Sequence, residues 1–357
     1  MKKFNRLSEL QQARAEIERA LGRPLPSWTS ILQGARPPRE NEDDNDADPG
    51  EWKHGWQFYA SDALEKQEHQ AVLGDSTRAD AARVRSCGGR NNSRWLTTIP
   101  RSDNHKLRNA VHQTLLRRRL GLPIELQQEE CEARTCREPL DAHGHHRSAC
   151  MRTGRVHGRH AAALSPWKQI LQEAGYRVQT ERPLNQTHLA VPLLDQRRMD
   201  LVAAPGPQSA GARRGLALFC DLTVVSPHTK RGAPRGGARS TDGATIARAE
   251  RRKHIKYTDV QGSGIAAFIV LGCEVYGRWN SDTQQLISEL ARLKALEAPP
   301  LLRRSAQHAW ANRWLGLAGI VTQRAVAEAL LCPRGADLLT SSAVEQEPSL
   351  TDLFDGN

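Results

Sequence analysis

The sequence predicts an α/β domain in the second half of the chain, with a small metal-binding segment in front of it. Between residues 155 and 280, helical and extended hydrophobic patterns alternate in the order helix, three strands, helix, strand. Cysteine and histidine residues cluster immediately before this region. Acidic residues interrupt two of the predicted strands, where a carboxylate is costly unless it is paired or bound to a metal. These observations predict an α/β core, a zinc-binding segment and flanking helices.

Length and charge limit the classes of function. The chain has 357 residues, which is enough for two or three domains of about 100–200 residues each. It carries 51 Lys and Arg against 40 Asp and Glu, for a formal net charge of +11. A basic balance suits a polyanionic partner, because cations that neutralise phosphates release counterions. The charge could also serve solubility alone.

The sequence carries no signal for a membrane or for secretion. Its longest apolar run, residues 265–273, is far shorter than the ~20 residues that span a bilayer. The N-terminal residues lack the apolar core of a secretory signal. Seven cysteines, an odd number, argue against a disulfide framework. We therefore expect reduced, intracellular cysteines, and clustered cysteines then indicate a metal.

Changes in composition divide the chain into segments. Helical periodicity over residues 7–22 ends at Gly22, and seven acids with no Lys or Arg lie between residues 40 and 51. We expect an N-terminal helix (1–38), an acidic disordered linker (39–52), a helical region (53–130), the zinc-binding segment (131–150), the α/β core (155–280), C-terminal helices (281–332) and a disordered tail (333–357). Trp310 and Trp314 lie one helical turn apart and could pack in the core or stack on bases.

Four residues have the spacing of a closed zinc site. The pattern is C-x4-C-x8-H-x4-C, and the predicted ligands are Cys131, Cys136, His145 and Cys150. Structural zinc prefers four thiolate or imidazole ligands in a tetrahedron, which two short loops can supply. Gly144 would let the backbone turn toward the metal. His143 and His146 remain alternatives for the third ligand.

The core elements follow from hydrophobic periodicity. We predict helices over residues 159–174 and 244–257, and strands over residues 176–184, 198–203, 216–225 and 266–276. Short loops between the first three strands favour hairpins, whereas the helical crossover before the last strand favours a parallel neighbour. Pro166 is expected to interrupt the first helix, although Ser165 and Pro166 would also suit a helix start.

Three acidic residues lie in or near these strands. Asp200 is in the second strand, Asp221 is in the middle of the apolar third strand, and Glu181 is near the end of the first. If the strands are neighbours, the carboxylates can converge at one edge of the sheet. Mg²⁺ binds through such carboxylates and activates water for phosphodiester cleavage. Lys253 and Lys256, one turn apart on the following helix, could neutralise the developing charge. Each residue alone could also be an ordinary edge or surface residue.

A basic segment follows the third strand. Residues 230–256 contain nine Lys and Arg against two acids. Residues 230–240 are rich in Gly, Pro and Arg, and are expected to form a flexible loop beside the acidic site that follows the phosphate backbone. The nucleic-acid-binding candidates in this segment are Arg231, Arg235, Arg239, Arg251 and Arg252. A disordered loop that serves only solubility is the alternative.

The order of these features resembles one endonuclease family. The zinc pattern is followed by Arg159-His160, by Asp200, by Asp221 in the segment CDLTVVSP, and by K-x-x-K-Y from Lys253 to Tyr257. This set is similar to the restriction-like endonuclease region, with its CCHC zinc knuckle, of site-specific non-LTR retrotransposons. The resemblance covers roughly residues 55 to 280. It implies a fold similar to the PD-(D/E)XK nucleases.

The resemblance also implies roles for individual residues. The residues that would carry out the chemistry are Asp200, Asp221, Glu181 and either Lys253 or Lys256. The aspartates would bind Mg²⁺ or Mn²⁺, the glutamate would be an accessory acid, and one lysine would be catalytic because Thr223 occupies its usual place. Arg159 and His160 would contact DNA or position the helix. The partner would be DNA, or alternatively RNA, and the location the nucleus.

Two departures from the family bear on activity. Met199 stands where a proline commonly precedes the first aspartate, and the chain carries no aromatic-x-Asp-Asp motif of a reverse transcriptase. We expect a retrotransposon-derived, Mg²⁺-dependent DNA endonuclease that nicks its target and lacks the polymerase. The alternatives are a catalytically inactive zinc-knuckle remnant that binds nucleic acid, and a resolvase-like nuclease that acts on branched DNA.

Overall fold

The computed structural model describes residues 2–35, 37, 55–100, 103–124, 126, 129–206 and 211–331. The predicted acidic linker and C-terminal tail lie outside the described residues. The chain divides into two compact units, Met1–Ser76 and Thr77–Asn357. The boundary falls inside the helical region predicted over residues 53–130. Among the described helices, none is both long enough and apolar enough to cross a membrane.

The described part of the first unit is helical. Its helices are α1 (Lys2–Leu21), α2 (Trp28–Leu32) and α3 (Trp56–Asp75). Helix α1 contains most of the predicted helix and ends before Gly22, whose φ of 65° favours glycine. Ser27 caps the start of α2, because its hydroxyl accepts a hydrogen bond from the Ser30 N–H at 3.1 Å. Helices α1 and α3 pack against each other.

Short helices open the second unit. They are α4 (Arg78–Cys87), α5 (Arg94–Thr97), α6 (Asn109–Leu120) and α7 (His145–Ala149). Thr77 caps α4, because its hydroxyl accepts a hydrogen bond from the Asp80 N–H at 3.1 Å. Gly121 ends α6 in a left-handed conformation with a φ of 73°. Helix α7 lies within the predicted zinc-binding segment.

Helix α8 (Arg155–Glu173) begins earlier than predicted and passes through Pro166 without interruption. The expected interruption is therefore wrong. A proline removes the N–H that would bond to the carbonyl one turn earlier, which here belongs to Ala162. The Ser165 hydroxyl donates to that carbonyl instead, at 3.2 Å. A side chain thus replaces the lost main-chain hydrogen bond, and the helix continues.

Four strands form one mixed sheet in the order β1-β2-β3-β4. They are β1 (Tyr176–Pro183), β2 (Arg198–Pro205), β3 (Ala217–Val225) and β4 (Ala266–Glu274). The β1–β2 and β2–β3 pairs are antiparallel, and β4 pairs with β3 in parallel. Helices α9 (Ala244–Lys256) and α10 (Thr258–Gly262) form the crossover between β3 and β4. The predicted hairpins, crossover and parallel last strand are confirmed.

Helices cover both faces of this sheet. The last two helices are α11 (Ser281–Lys294) and α12 (Arg303–Leu331). One core lies between the sheet and α8, α11 and α12, and contains Leu218. A smaller core on the side of α9 and α10 contains Phe219 and Tyr257. Leu218 and Phe219 belong to different cores because successive strand residues face opposite sides.

Trp310 and Trp314 lie in the larger core. They are 9% and 0% exposed, and their ring centroids are 5.2 Å apart. Trp314 Nε1 also donates to Glu173 Oε2 at 2.7 Å, which gives the buried indole N–H a partner. The core-packing interpretation is confirmed, and stacking of bases on these rings is excluded.

Candidate functional site

A cysteine-rich cluster forms a candidate metal centre. Its members are Cys131, Cys136, His146 and Cys150, and one ligand atom of each lies within 4.8 Å of the others. Cys131 Sγ and Cys150 Sγ are 3.9 Å apart, and Cys136 Sγ is 3.6 Å from His146 Nε2. Zn–S bonds of about 2.3 Å in a tetrahedron place two sulfurs about 3.8 Å apart. The cluster could therefore hold a metal such as zinc.

On helix α7, His146 rather than the predicted ligand His145 faces the cysteines. Consecutive helical residues point about 100° apart, so only one of the two imidazoles can face the cysteines. His145 instead packs on His228, with ring centroids 4.2 Å apart, and is 8% exposed. Burial lowers the pKa of His145 to about 3. The prediction of His145 is corrected to His146, one of the alternatives that the spacing had left open.

Asp141 lies before α7 and binds the main chain of three histidines at the start of that helix. Its carboxylate accepts hydrogen bonds from the N–H groups of His143, His145 and His146 at 3.0, 2.9 and 2.8 Å. Glu138 Oε2 lies 3.6 Å from His146 Nδ1, which leaves Nε2 for a metal. Sequence reasoning missed Asp141. The available signal was an acid just before a short histidine-rich helix, where the free N–H groups need an acceptor.

Arginine side chains join the metal-binding segment to α12. Arg147 and Arg155 both pair with Glu132, at 3.0 and 2.7 Å. Arg155 also donates to the Ala329 carbonyl at 2.8 Å, and Arg147 donates to the Leu330 carbonyl. These carbonyls lie in the last turn of α12, where no later helical N–H can bond them. A metal at the cysteines would therefore also stabilise the end of α12.

Arg159 has a structural role. It is 3% exposed, and its guanidinium donates to the carbonyls of Ser148 and Val224 at 2.9 and 3.0 Å. Burial lowers the pKa of Arg159 to about 10, so the side chain stays charged at neutral pH. Its burial favours the helix-positioning alternative, and contact of Arg159 with DNA stays a prediction. Its position links α7 to the end of β3.

The register of the sheet brings the predicted acids into one row. The β2–β3 register, continued by one residue, places Asp200 opposite Asp221. On β1, Glu181 lies between Thr180 and Arg182, which pair with Leu201 and Met199 on either side of Asp200. Directly opposed residues of antiparallel strands have Cβ atoms about 4.5–5.5 Å apart. Asp200 and Asp221 therefore occupy neighbouring positions, and the charge of Asp200 acts on Asp221. Glu181 lies beside them on β1.

Asp200 is held by groups on β3 and α8. Its Oδ2 accepts a hydrogen bond from the Leu222 N–H at 2.7 Å and lies 3.1 Å from His160 Nε2. His160 Nε2 is also 3.1 Å from the Leu222 carbonyl, and two acceptors identify Nε2 as the protonated nitrogen. Burial has the largest single effect and would lower the pKa of His160, but the hydrogen bond to Asp200, the Asp200 charge and the Leu222 carbonyl together raise it. His160 therefore orients the Asp200 carboxylate.

Asp221 forms a buried ion pair with Lys253. The aspartate is 2% exposed, and Lys253 Nζ is 2.6 Å from its Oδ2. Burial raises the pKa of Asp221, the Lys253 ammonium opposes the rise, and the Asp200 carboxylate adds to it. The net result is a raised pKa, as is common for carboxylates at functional sites and for some structural ion pairs.

Lys253, rather than Lys256, contacts Asp221. Lys256 is exposed, and its Nζ lies 4.8 Å from the ring centroid of Tyr257. Tyr257 is fully buried, and its hydroxyl donates to the Arg198 carbonyl at 3.0 Å. Burial raises the pKa of Tyr257, and the charge of Asp221 raises it further. Tyr257 therefore borders the acidic row from the side of α9, a role that its place after K-x-x-K could have suggested.

Glu181 occupies the row but is exposed. Its φ of 50° departs from regular strand geometry, while its neighbours on both sides remain paired with β2. Its role as an accessory acid stays a prediction.

The basic segment is anchored rather than flexible. The Thr229 N–H donates to the Ala233 carbonyl at 2.8 Å, and Lys230 Nζ pairs with Glu138 Oε1 at 2.6 Å. These contacts hold the segment against itself and against the metal-binding segment, which differs from the loose loop that the composition predicted. The predicted nucleic-acid-binding side chains of this segment are all exposed, namely Arg231, Arg235, Arg239, Arg251 and Arg252.

Comparisons with known proteins assign no family to the chain. No family model matches the sequence, and no curated protein matches it. The geometry of the sites, together with the resemblance described above, is the basis for proposing a function.

Proposed function

We propose that the chain is a metal-dependent DNA endonuclease that hydrolyses a phosphodiester bond. The observation that carries the proposal is the buried Asp221 carboxylate, which is opposite Asp200 and 2.6 Å from the Lys253 ammonium. Two carboxylates and a lysine are the groups that a hard divalent cation and a phosphate substrate require. The arrangement agrees with the PD-(D/E)XK-like core that the resemblance implies.

Four side chains take part in the proposed chemistry. The contacts described above use Oδ2 of each aspartate, so the Oδ1 atoms of Asp200 and Asp221 are the proposed ligands of Mg²⁺ or Mn²⁺. When bound, the ion would supply an activated water and stabilise the leaving oxygen. Lys253 would shift from Asp221 to the phosphate and stabilise the negative charge that develops there. His160 would keep Asp200 oriented throughout.

Exposed arginines on α9 support a nucleic-acid substrate. Arg251 and Arg252 are exposed on the helix that carries Lys253, within one turn of it. Basic side chains at this place would contact phosphates beside the scissile bond. The formal net charge of +11 also favours binding to the negatively charged phosphates of a nucleic acid. We propose DNA as the substrate, and the retrotransposon origin and nuclear location rest on the resemblance alone.

Nicking of supercoiled plasmid tests this activity. We expect the purified chain to produce open-circular DNA only when Mg²⁺ or Mn²⁺ is added. Asp221→Asn and Lys253→Ala should each lower the rate by about 100-fold or more, because each removes a group that acts on the transition state. Lys168→Ala, which changes an exposed lysine of α8, is the matched control. Equal rates in the wild-type and Asp221→Asn proteins would refute the mechanism.

A nucleic-acid-binding protein without catalysis is the second candidate. The observation in its favour is that both aspartates already have protein partners, Asp200 with His160 and Asp221 with Lys253. Carboxylates paired in this way can form a structural cluster that needs no ion. Salt-dependent binding of DNA or RNA with no cleavage in either metal would favour this candidate.

A further inference from the structure

A second group of metal-ligating side chains lies between α9 and α11. Glu250 and His254 are one turn apart on α9, and Asp282 is in the first turn of α11. One ligand atom of each lies within 4.8 Å of the other two, and all three residues are half-buried. The group shares no residue with the cysteine cluster or with the acidic row.

Gln261 determines which nitrogen of His254 carries the proton. Gln261 Nε2 donates to the main-chain carbonyls of His254 and Tyr257 at 2.8 and 3.3 Å, so its Oε1 is the atom 3.0 Å from His254 Nδ1. An amide oxygen only accepts, so Nδ1 carries the proton. In the neutral ring, Nε2 then presents a lone pair 3.9 Å from Asp282 Oδ2. A lone pair that faces a carboxylate is repelled, and either a proton on Nε2 or a metal cation between the two groups removes the repulsion.

The carboxylates of this group carry more charge than their neighbours neutralise. Asn280, which caps α11, donates to Glu250 Oε1 at 3.0 Å and so holds that carboxylate in place. Arg213 lies 3.7 Å from Asp282 but is shared with Glu289 at 3.4 Å. A divalent cation would relieve the repulsion.

We propose that Glu250, His254 and Asp282 bind a divalent transition-metal ion such as Zn²⁺. Zn²⁺ accepts imidazole together with carboxylates, whereas Mg²⁺ and Ca²⁺ prefer oxygen ligands alone. His254 already makes the hydrogen bond from its second ring nitrogen that metal-bound imidazoles usually make. The ion ties α9 to α11 and thereby holds the helix that carries Lys253.

Zinc stoichiometry of the full chain tests the site. Equilibrium dialysis is done in excess Mg²⁺, which occupies positions that offer only carboxylates. The wild-type chain is expected to bind two Zn²⁺, one at the cysteines and one at this site. His254→Ala and the nearly isosteric Glu250→Gln are each expected to bind one. His188→Ala, which removes an exposed histidine, is the control and is expected to bind two.

Cobalt substitution identifies which ion is lost. Cysteine-bound Co²⁺ gives a sulfur-to-metal charge-transfer band, which should keep its full intensity in His254→Ala while one equivalent of Co²⁺ is lost. Two Zn²⁺ retained in both variants, or a single Zn²⁺ in the wild type, overturns the proposal. If the wild type binds a single Zn²⁺, an ion pair between protonated His254 and Asp282 explains why these side chains lie together. The readout is bound metal, so the result does not depend on whether the chain cleaves DNA.

Discussion

The carboxylate of Asp221 is 2% exposed and lies in the middle of the apolar strand β3. Taking such a charge out of water costs several kcal/mol, and the ion pair with Lys253 offsets part of that cost. An exposed pair such as Lys106 with Asp103 contributes far less, because water screens both charges. The Asp221–Lys253 pair should therefore matter for stability as well as for chemistry.

Lys253→Met is expected to lower the free energy of unfolding by about 3 kcal/mol at neutral pH, because Asp221 stays buried without its cation. The loss should shrink on acidification. The folded-state pKa of Asp221 is already raised, and removal of Lys253 raises it further. As the pH falls through that raised pKa, the folded variant takes up a proton before the unfolded chain does, which returns stability.

Urea unfolding of this variant at about pH 7 and about pH 5 measures the effect. Lys168→Met serves as the control, because Lys168 is an exposed residue of α8 and forms no part of the proposed site. A loss of equal size at both pH values would contradict the explanation by a buried, uncompensated charge.

The thiols of the metal centre should make zinc binding depend on pH. Burial raises the pKa of the Cys131 thiol to about 11, so the thiol is protonated at neutral pH in the metal-free protein. Because zinc must displace that proton, its affinity should rise with pH, by about tenfold per unit for each proton displaced. Competition with a chromophoric chelator across a range of pH measures the slope. An affinity independent of pH would argue against thiolate ligands.

At the scale of elements, helix α8 connects the metal-binding segment to the acidic row. Its first turn carries Arg155, which bonds to the end of α12. One turn later, Arg159 bonds to α7 and β3, and His160 bonds to Asp200. Because one rigid helix presents all three side chains, the position of the metal-binding segment and the orientation of Asp200 are coupled.

Arg159→Met should therefore affect stability rather than recognition of DNA. It leaves the buried carbonyls of Ser148 and Val224 without a donor, and we expect the free energy of unfolding to fall by about 2–3 kcal/mol. The DNA affinity of the folded variant should stay the same. Thermal unfolding and filter binding measure the two quantities, with Arg177→Met, an exposed arginine of β1, as the control. Weaker DNA binding at unchanged stability would show that Arg159 contacts the nucleic acid after all.

At the scale of the whole molecule, two exposed arginines lie beside the proposed site. Arg251 and Arg252 lie on α9 beside Lys253. If the DNA follows this helix, Arg251→Ala combined with Arg252→Ala should reduce the slope of log affinity against log salt by about 2, since each phosphate contact contributes about 0.9. DNA binding measured at several KCl concentrations gives the slope.

A control variant that removes the same charge from another surface tests where the DNA binds. Arg292→Ala combined with Arg303→Ala removes the same charge from exposed positions on α11 and α12. It should leave the slope nearly unchanged. If both double variants reduce the slope equally, the DNA does not follow α9 and net charge alone governs the affinity.

Local patterns anticipated much of the core. Hydrophobic periodicity gave the order of helices and strands, and the crossover length gave the parallel pairing of β4 with β3. The same patterns failed at Pro166, because the Ser165 hydroxyl satisfies the carbonyl that a proline leaves free. They also failed for the loop after β3, which is held to the metal-binding segment by the Lys230–Glu138 ion pair and internally by main-chain hydrogen bonds.

By itself, the sequence determined the element order, the three cysteines of the candidate metal centre and the neighbouring acids of β2 and β3. These properties depend on the spacing of residues along the chain, and that spacing is visible in the sequence as hydrophobic periodicity and as the intervals between ligand residues. Only the tertiary structure decided that His146 replaces His145, that Lys253 rather than Lys256 meets Asp221, and that Arg159 is buried. Each of these choices depends on groups far away in the chain, because burial and the direction of a side chain are set by what packs against it.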